Sequence, residues 1–248
     1  LRTSDLTALN GVSFSLGGGE RLGLVGESGA GKSVAGFSII NLISKPGYIA
    51  GGRVLFKGED ISRLPEEAMR RIRGNRISMV FQDPMMTLNP VLTIGAQMVE
   101  TLAAHRDIDH AEAERIAVEK LRQVHIPSPD KRLRQYPHEF SGGMRQRIII
   151  AIALLNDPQL IIADEPTTAL DVTIQAEIMD LFLELCERSR MGLILITHDL
   201  AVVSETTEKI AVMYAGKIVE EGRTADVVDR PQHPYTQGLI AALPQGDQ

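Results

Sequence analysis

The chain has a single cysteine, no tryptophan and few aromatic residues, which make up 4% of its 248 residues. One thiol, Cys186, cannot form an internal disulfide, so we predict a buried structural cysteine in a reducing, cytoplasmic setting. No apolar run approaches the roughly 18 residues of a membrane-spanning helix. The longest, Ile148–Leu155, is interpreted as part of a buried helix. We therefore expect any role at a membrane to come through a partner protein.

An excess of basic charge is also lacking. The chain has 26 lysine and arginine residues against 32 aspartate and glutamate residues, a net charge of −6. This balance argues against sequence-independent binding of nucleic acid, which needs a basic surface. The length favours one domain over 1–248 that contains an inserted subdomain.

Short apolar runs alternate with helical patterns along the chain. Strands are predicted at Arg21–Val25, Arg53–Phe56, Ile77–Phe81, Leu160–Ala163, Leu193–Ile196 and Ile210–Met213. Helices are predicted from Lys32 to about Ile43 and over Glu66–Arg73 and Ala111–Val124. Between Val91 and Phe140 the strand-like runs disappear, which indicates a helical insert. The alternation predicts an α/β fold, with a mainly parallel sheet covered on both faces.

A phosphate-binding loop follows the first predicted strand and opens a helix. It fits the pattern G-x-x-x-x-G-K-[ST], and its residues are Gly26, Glu27, Ser28, Gly29, Ala30, Gly31, Lys32 and Ser33. The glycines let backbone N–H groups close around phosphate oxygens, and the helix N-terminus adds partial positive charge. Lys32 offers a point charge to the outer phosphates, and the Ser33 hydroxyl is a ligand for Mg²⁺. We therefore expect ATP and Mg²⁺ as cofactors.

Two adjacent acids end the apolar strand Leu160–Ala163. Asp164 at this position can hold the Mg²⁺ shell, and Glu165 can accept a proton from an attacking water. The alternative is a pair of acids that only caps a helix. The neighbouring motifs favour the catalytic interpretation.

Polar side chains also follow two other predicted strands. Gln82 comes after Ile77–Phe81, where an amide can ligate Mg²⁺ or orient water. His198 follows Leu193–Thr197, where an imidazole can reach a γ-phosphate. Each is a catalytic candidate.

A second phosphate-type turn opens another helix more than a hundred residues after the first. Its residues are Ser141, Gly142, Gly143 and Met144. Because one nucleotide has one triphosphate, a second turn of this kind needs a separate explanation.

Together these motifs resemble the ATPase subunit of ABC transporters across essentially the whole chain. The resemblance identifies Gln82 with the Q-loop glutamine, Ser141–Met144 with the signature motif, Thr168–Asp171 with the D-loop and His198 with the switch histidine. It implies that Asp171 belongs to the nucleotide site. It also implies a core over 1–90 and 158–248, with an N-terminal antiparallel β subdomain, and a helical subdomain over 91–157.

A narrower resemblance is to the dipeptide, oligopeptide and nickel importers. It covers the segments Phe81–Pro90, Tyr136–Arg147, Ala163–Val172 and His233–Thr236. Met144 stands where the wider family usually has glutamine, but the importers share the methionine. Phe14 is the only aromatic residue before Gly26, and no adenine-stacking residue is assigned.

The resemblance implies an ATPase that works with partners. The signature motif of a second ATPase subunit, identical or paralogous, would cover the γ-phosphate, which explains the second turn. Two permeases and, indirectly, an extracytoplasmic solute-binding protein complete the implied importer. Its place would be the cytoplasmic face of the inner membrane of a bacterium or archaeon, and its cargo peptides or related solutes such as nickel.

Two other classes of protein are alternatives to this interpretation, namely a non-transport ABC ATPase and a GTPase switch. An ATPase accessory to the phosphonate carbon–phosphorus lyase complex has similar segments and stays an alternative. DNA-repair and ribosome-associated ABC proteins usually have tandem cassettes or zinc-finger insertions, which this sequence lacks. A GTPase switch is disfavoured because no Asn-Lys-x-Asp tetrad occurs.

Overall fold

A computed structural model describes residues 13–27, 32–39, 54–56, 59–62, 64–81 and 87–244. The chain forms two compact units. The first unit comprises Leu1–Leu64 and Gly192–Gln248, and the second comprises Pro65–Met191. The predicted helical subdomain over 91–157 is a different division of the chain, and it stays a prediction.

The described residues alternate strands and helices. The strands are β1 (Arg21–Val25), β2 (Leu55–Phe56), β3 (Glu59–Asp60), β4 (Ile77–Val80), β5 (Leu160–Asp164), β6 (Gly192–Thr197), β7 (Lys209–Tyr214) and β8 (Lys217–Arg223). The helices are α1 (Lys32–Ile39), α2 (Glu66–Ile72), α3 (Ile94–Ala103), α4 (His110–Gln123), α5 (Pro129–Arg132), α6 (Gly142–Leu154), α7 (Val172–Ser189), α8 (Leu200–Thr206), α9 (Thr224–Asp229) and α10 (Pro234–Ala241). Part of the predicted first helix, 40–43, lies outside the described residues.

In the first unit, β1 lies between β6 and β7 and runs parallel to both. Every residue of β6 is buried, as expected for a strand of a parallel sheet that is covered on both faces. β8 pairs antiparallel with β7. We did not predict β8, because its exposed charged residues give no continuous apolar run. β2 and β3 form a separate antiparallel pair.

In the second unit, β4 and β5 form a parallel pair, with Val80 opposite Ala163. Helix α6 packs against β4, α4 and α7. Its central residues Ile148, Ile149 and Ile150 are buried, so the helix is apolar on nearly every side, as a core helix is. The α/β class with a mainly parallel sheet is confirmed.

Helix α8 lies very close to β1 at Gly23. A Cβ atom on Gly23 would lie 2.2 Å from Cγ1 of Val203 and 3.2 Å from Oγ1 of Thr207. Real Cβ atoms essentially never lie within 3.0 Å of such a neighbour, and a closely packed interior has little room to adjust. Glycine at this position lets the helix pack directly against the strand that leads into the phosphate loop.

Replacing Gly23 by alanine is expected to destabilise the protein by about 1–3 kcal/mol, the usual cost of an overpacked core. The matched control is Gly18→Ala, because nothing lies within 4 Å of a Cβ atom at Gly18. Urea unfolding of both variants measures the free energy of unfolding. Equal values for the two variants would contradict the close packing of α8 on β1.

Candidate functional site

The phosphate loop begins where β1 ends. The described part of the loop consists of Gly26, Glu27, Lys32 and the backbone of Ser33, and Lys32 opens α1. Lys32 is only 5% exposed, and its Nζ donates a hydrogen bond of 2.5 Å to the carbonyl oxygen of Gly26. The lysine ammonium is therefore held against the loop's own backbone.

Several predicted site residues lie outside the described residues. These are Ser28, Gly29, Ala30, Gly31 and Gln82, together with the side chain of Ser33. Their roles stay predictions.

Tyr235, on α10, contacts the start of the phosphate loop. The backbone N–H of Glu27 donates a hydrogen bond of 3.0 Å to its hydroxyl oxygen. Burial raises the pKa of the Tyr235 hydroxyl, and the Glu27 and Tyr214 charges raise it further, against a lowering by the Glu27 N–H. The pKa is raised overall, so the hydroxyl is neutral at physiological pH.

The acids Asp164 and Glu165 follow each other at the C-terminal end of β5. Asp164 is 3% exposed, and a carboxylate buried so deeply must be balanced by hydrogen-bond donors or a cation. Glu165 is half-buried and has φ +48°, in the left-handed region. A residue other than glycine at such an angle stores strain, and such strain is frequent at functional sites. The turn therefore presents the Glu165 carboxylate at the end of the strand.

Ser141 is the N-cap of α6. Its Oγ accepts a hydrogen bond of 3.3 Å from the N–H of Met144, and both Ser141 and Gly142 are exposed. The first N–H groups of a helix have no partner inside the helix and carry partial positive charge, so they can bind an anion. Arg145 steadies the preceding turn, because its Nε donates to the carbonyl oxygens of Pro137 and Phe140 at 3.1 Å each.

The two glycines of this turn also allow close packing by the segment at the start of α7. A Cβ atom on Gly143 would lie 2.9 Å from Cγ2 of Ile174, and one on Gly142 would lie 3.4 Å from Cδ2 of Leu170. The signature turn and the predicted D-loop are thus neighbours within the second unit. A larger residue at 143 would push them apart.

Asp171 caps α7. Its Oδ1 accepts a hydrogen bond of 2.9 Å from the N–H of Ile174. Gln175 holds the D-loop backbone, because its Nε2 donates to the carbonyl oxygens of Leu170 at 2.8 Å and Thr167 at 3.3 Å. The structure thus gives Asp171 a helix-capping role, and its role toward nucleotide stays a prediction.

His198 lies between the end of β6 and the start of α8. The next residue, Asp199, donates its N–H to Oγ1 of Thr197 at 3.0 Å and accepts hydrogen bonds from the N–H groups of Ala201 and Val202. These bonds fix the backbone on one side of His198, while β6 fixes it on the other. The His198 residue itself is exposed, so its imidazole is accessible to a ligand.

The sequence marks the segment that contains Tyr235, His233–Thr236, but indicates no role for the tyrosine. The contact joins residues that are 208 positions apart, and no local pattern marks it. The tyrosine in His233–Thr236 was the one available signal, and only the fold shows where its hydroxyl lies.

Among the residues that the structure describes, no helix is both long enough and apolar enough to cross a membrane.

Comparison with protein-family models gives two matches. Residues 9–168 match the ABC transporter family. Residues 219–248 match the oligopeptide/dipeptide transporter C-terminal region. The first match includes every predicted site residue except Asp171 and His198.

Similar proteins of known class agree with these matches. The chain is 52% identical over 243 residues to the dipeptide transport ATP-binding protein DppD of Bacillus subtilis. The aligned region covers 97% of this chain and 72% of that protein. It is 51% identical over 241 residues to the oligopeptide transport ATP-binding protein OppD of the same organism. This aligned region covers 97% of this chain and 67% of that protein.

A solved structure has the same fold. It is the dimeric post-hydrolysis state of the ATP-binding cassette MJ0796 bound to ADP and phosphate, with a TM-score of 0.75 and 29% identity. The similarity covers 88% of this chain and 90% of that one.

Proposed function

Because the chain belongs to the ABC transporter family of ATPases, we propose that it hydrolyses ATP to power the import of peptides through a membrane transporter. One observation carries the peptide assignment. The match to the oligopeptide/dipeptide transporter C-terminal region, over 219–248, occurs in the same chain as the ABC transporter match over 9–168.

ATP binds through the phosphate loop in this proposal. Backbone N–H groups of the Gly26–Ser33 loop, apart from that of Glu27, which donates to Tyr235, and the N-terminus of α1 surround the phosphate oxygens. The buried ammonium of Lys32, which lies at the Gly26 carbonyl, neutralises charge on the outer phosphates.

Ser33, Gln82 and Asp164 would hold Mg²⁺. Hydroxyl, amide and carboxylate oxygens are the hard ligands that this ion prefers, and the deeply buried carboxylate of Asp164 supplies the negative charge. When bound, the ion neutralises phosphate charge.

Glu165 acts as the general base of hydrolysis and accepts a proton from the attacking water. His198 donates a hydrogen bond to the γ-phosphate, and Gln82 helps to orient the water. Catalysis in this scheme is mainly positioning and charge stabilisation, as is general for phosphoryl transfer.

The signature turn serves a second subunit. Ser141 and the N–H groups of Gly142 and Gly143 bind the γ-phosphate of an ATP that another ATPase subunit holds, and Met144 and Asp171 line the same contact. The exposed N-terminus of α6, with its serine cap, supports this assignment because it is open to a ligand. The dimeric cassette with ADP and phosphate supports it as well. ATP then favours a closed dimer, and hydrolysis lets the subunits separate.

The closing and opening of the ATPase dimer is transmitted to the membrane by other proteins. We propose that the helical subdomain, 91–157, is inserted between the two segments of the core, 1–90 and 158–248. In this proposal it contacts two permease subunits at the cytoplasmic face of the inner membrane. Gln82, near its border, links γ-phosphate occupancy to that subdomain. A solute-binding protein outside the membrane delivers the cargo.

A role beside carbon–phosphorus lyase is not favoured. The similar proteins are a dipeptide and an oligopeptide transport protein at 52% and 51% identity, and the C-terminal region is that of peptide transporters.

Peptide uptake by reconstituted transporter tests the function. The tagged chain is purified from membranes with its partners, which mass spectrometry identifies, and the assembly is placed in proteoliposomes. ATP should drive uptake of a labelled peptide, and Lys32→Ala should abolish it. Copurification with lyase enzymes instead of permeases would overturn the proposal.

A further inference from the structure

The peptide group between Gly26 and Glu27 is held at both ends. Its carbonyl oxygen accepts the hydrogen bond from Nζ of Lys32, and its N–H donates to the hydroxyl oxygen of Tyr235 at 3.0 Å. Because a peptide group is planar, two bonds at opposite ends fix the direction in which both atoms point. The orientation of this one peptide therefore decides where the Lys32 ammonium has its backbone acceptor.

The ring of Tyr235 has a fixed position. It lies against the ring of Tyr214 at the end of β7, with centroids 4.9 Å apart and an angle of 48° between the planes. The N–H of Tyr235 donates to Nδ1 of His233, which caps α10. The hydroxyl thus projects from a side chain that is anchored at the ring and at the backbone.

Helix α10 is in turn anchored to β8 through Glu220. The Glu220 carboxylate accepts hydrogen bonds from the N–H groups of Gln232, at 2.9 Å, and His233, at 2.8 Å. Burial raises the pKa of this carboxyl, but the hydrogen bonds that it accepts and the nearby His233 outweigh burial and lower the pKa overall. Glu220 is therefore ionised at neutral pH, and charge-assisted hydrogen bonds of this kind are stronger than neutral ones.

We propose that Tyr235 is a positioning residue of the ATP site, and that its hydroxyl orients the Gly26–Glu27 peptide so that Lys32 is prearranged for phosphate. The inference rests on the proposed binding of ATP to this loop. It also gives the His233–Thr236 segment a physical role, because the hydroxyl of Tyr235 accepts a hydrogen bond from the phosphate loop.

Loss of the Tyr235 hydroxyl should affect the affinity for ATP more than the rate of ATP hydrolysis. Without the hydroxyl, the Glu27 N–H loses this partner and the peptide can rotate, so that ATP must restore the orientation when it binds. The lost preorganisation weakens affinity. The reacting atoms gain no new neighbour, so the rate of hydrolysis of bound ATP is unchanged.

Tyr235→Phe tests the inference, because it removes the hydroxyl and keeps the ring against Tyr214. The matched control is Tyr214→Phe, which removes a hydroxyl from the other ring of the same pair. Equilibrium titration of the full chain with ATP and Mg²⁺ measures the dissociation constant. Steady-state turnover of the chain with its copurified partners measures KM and kcat, and thermal unfolding measures stability.

For Tyr235→Phe we expect a dissociation constant and a KM about two- to tenfold higher, the range for loss of one neutral hydrogen bond. The kcat should stay within about twofold. The melting temperature should fall by no more than about 4 °C, since ring packing is preserved and only one hydrogen bond is lost. Tyr214→Phe should match the unmodified chain in all four quantities.

Three results would overturn the inference. They are unchanged ATP affinity in Tyr235→Phe, an equal loss in Tyr214→Phe, and a lower melting temperature with no change in KM. Failure of the proposed function is distinguishable from all three. In that case the unmodified chain itself would show no ATP binding that Lys32→Ala removes.

Discussion

Replacing Glu165 by glutamine is expected to lower the turnover number for ATP by about 10²- to 10⁴-fold, the usual contribution of a general base. The amide keeps the size of the side chain but cannot accept the proton of the attacking water. We expect the left-handed backbone at this residue, φ +48°, to be kept, because glutamine has the same size and branching as glutamate. Binding of ATP should persist because the phosphate loop is untouched, so the variant should accumulate as a closed dimer in the presence of ATP and Mg²⁺.

Single-turnover hydrolysis and size-exclusion chromatography with ATP check the two parts of this prediction. The matched control is Glu187→Gln, the same change at an exposed position of α7, which should hydrolyse ATP at the unmodified rate. Near-normal steady-state turnover in Glu165→Gln would remove Glu165 as the base.

Replacing Ser141 by arginine is expected to abolish ATP hydrolysis, with a loss of at least about 100-fold, because donors at a developing charge contribute on this scale. The substitution blocks the exposed N-terminus of α6 with a bulky side chain. The phosphate loop of the same chain stays intact. The variant should therefore bind ATP with nearly unchanged affinity but fail to turn it over.

Equilibrium ATP binding, measured beside turnover, tests this separation. Arginine also removes the helix cap that Ser141 provides, so Ser141→Asp serves as a second variant, because aspartate caps a helix well but its negative charge repels phosphate. Ser204→Arg places the same bulk and charge at another exposed serine and should leave turnover intact. Loss of both binding and turnover in Ser141→Arg would contradict a role in a neighbouring subunit's site.

Strands and helix caps that depend only on neighbouring residues could be predicted from the sequence. The strand Arg21–Val25 was predicted with the bounds that the structure shows, because buried parallel strands are continuous apolar runs. The predicted strand Arg53–Phe56 begins at Leu55 within the described residues. Ser141 and Asp171 cap their helices through bonds to residues three positions later, and such bonds are encoded by neighbouring residues.

The antiparallel strand β8 and the contact of α10 with the phosphate loop were not predictable. β8 is charged and partly exposed, and its identity as a strand depends on pairing with β7. The importance of Gly23 likewise depends on Val203, which lies on a helix far along the chain.

The sequence by itself determined the family, the phosphate loop, the acidic pair after β5 and the capped turn of α6, since each is a run of adjacent residues whose chemistry does not depend on distant partners. The tertiary structure alone decided which residue supports the phosphate loop. Glu27 and Tyr235 are 208 positions apart, and a single hydrogen bond over that separation exists only because β1, β7, β8 and α10 belong to one packed unit. The physical reason is that hydrogen bonds act over about 3 Å, a distance set along the chain for near neighbours and by packing for all others.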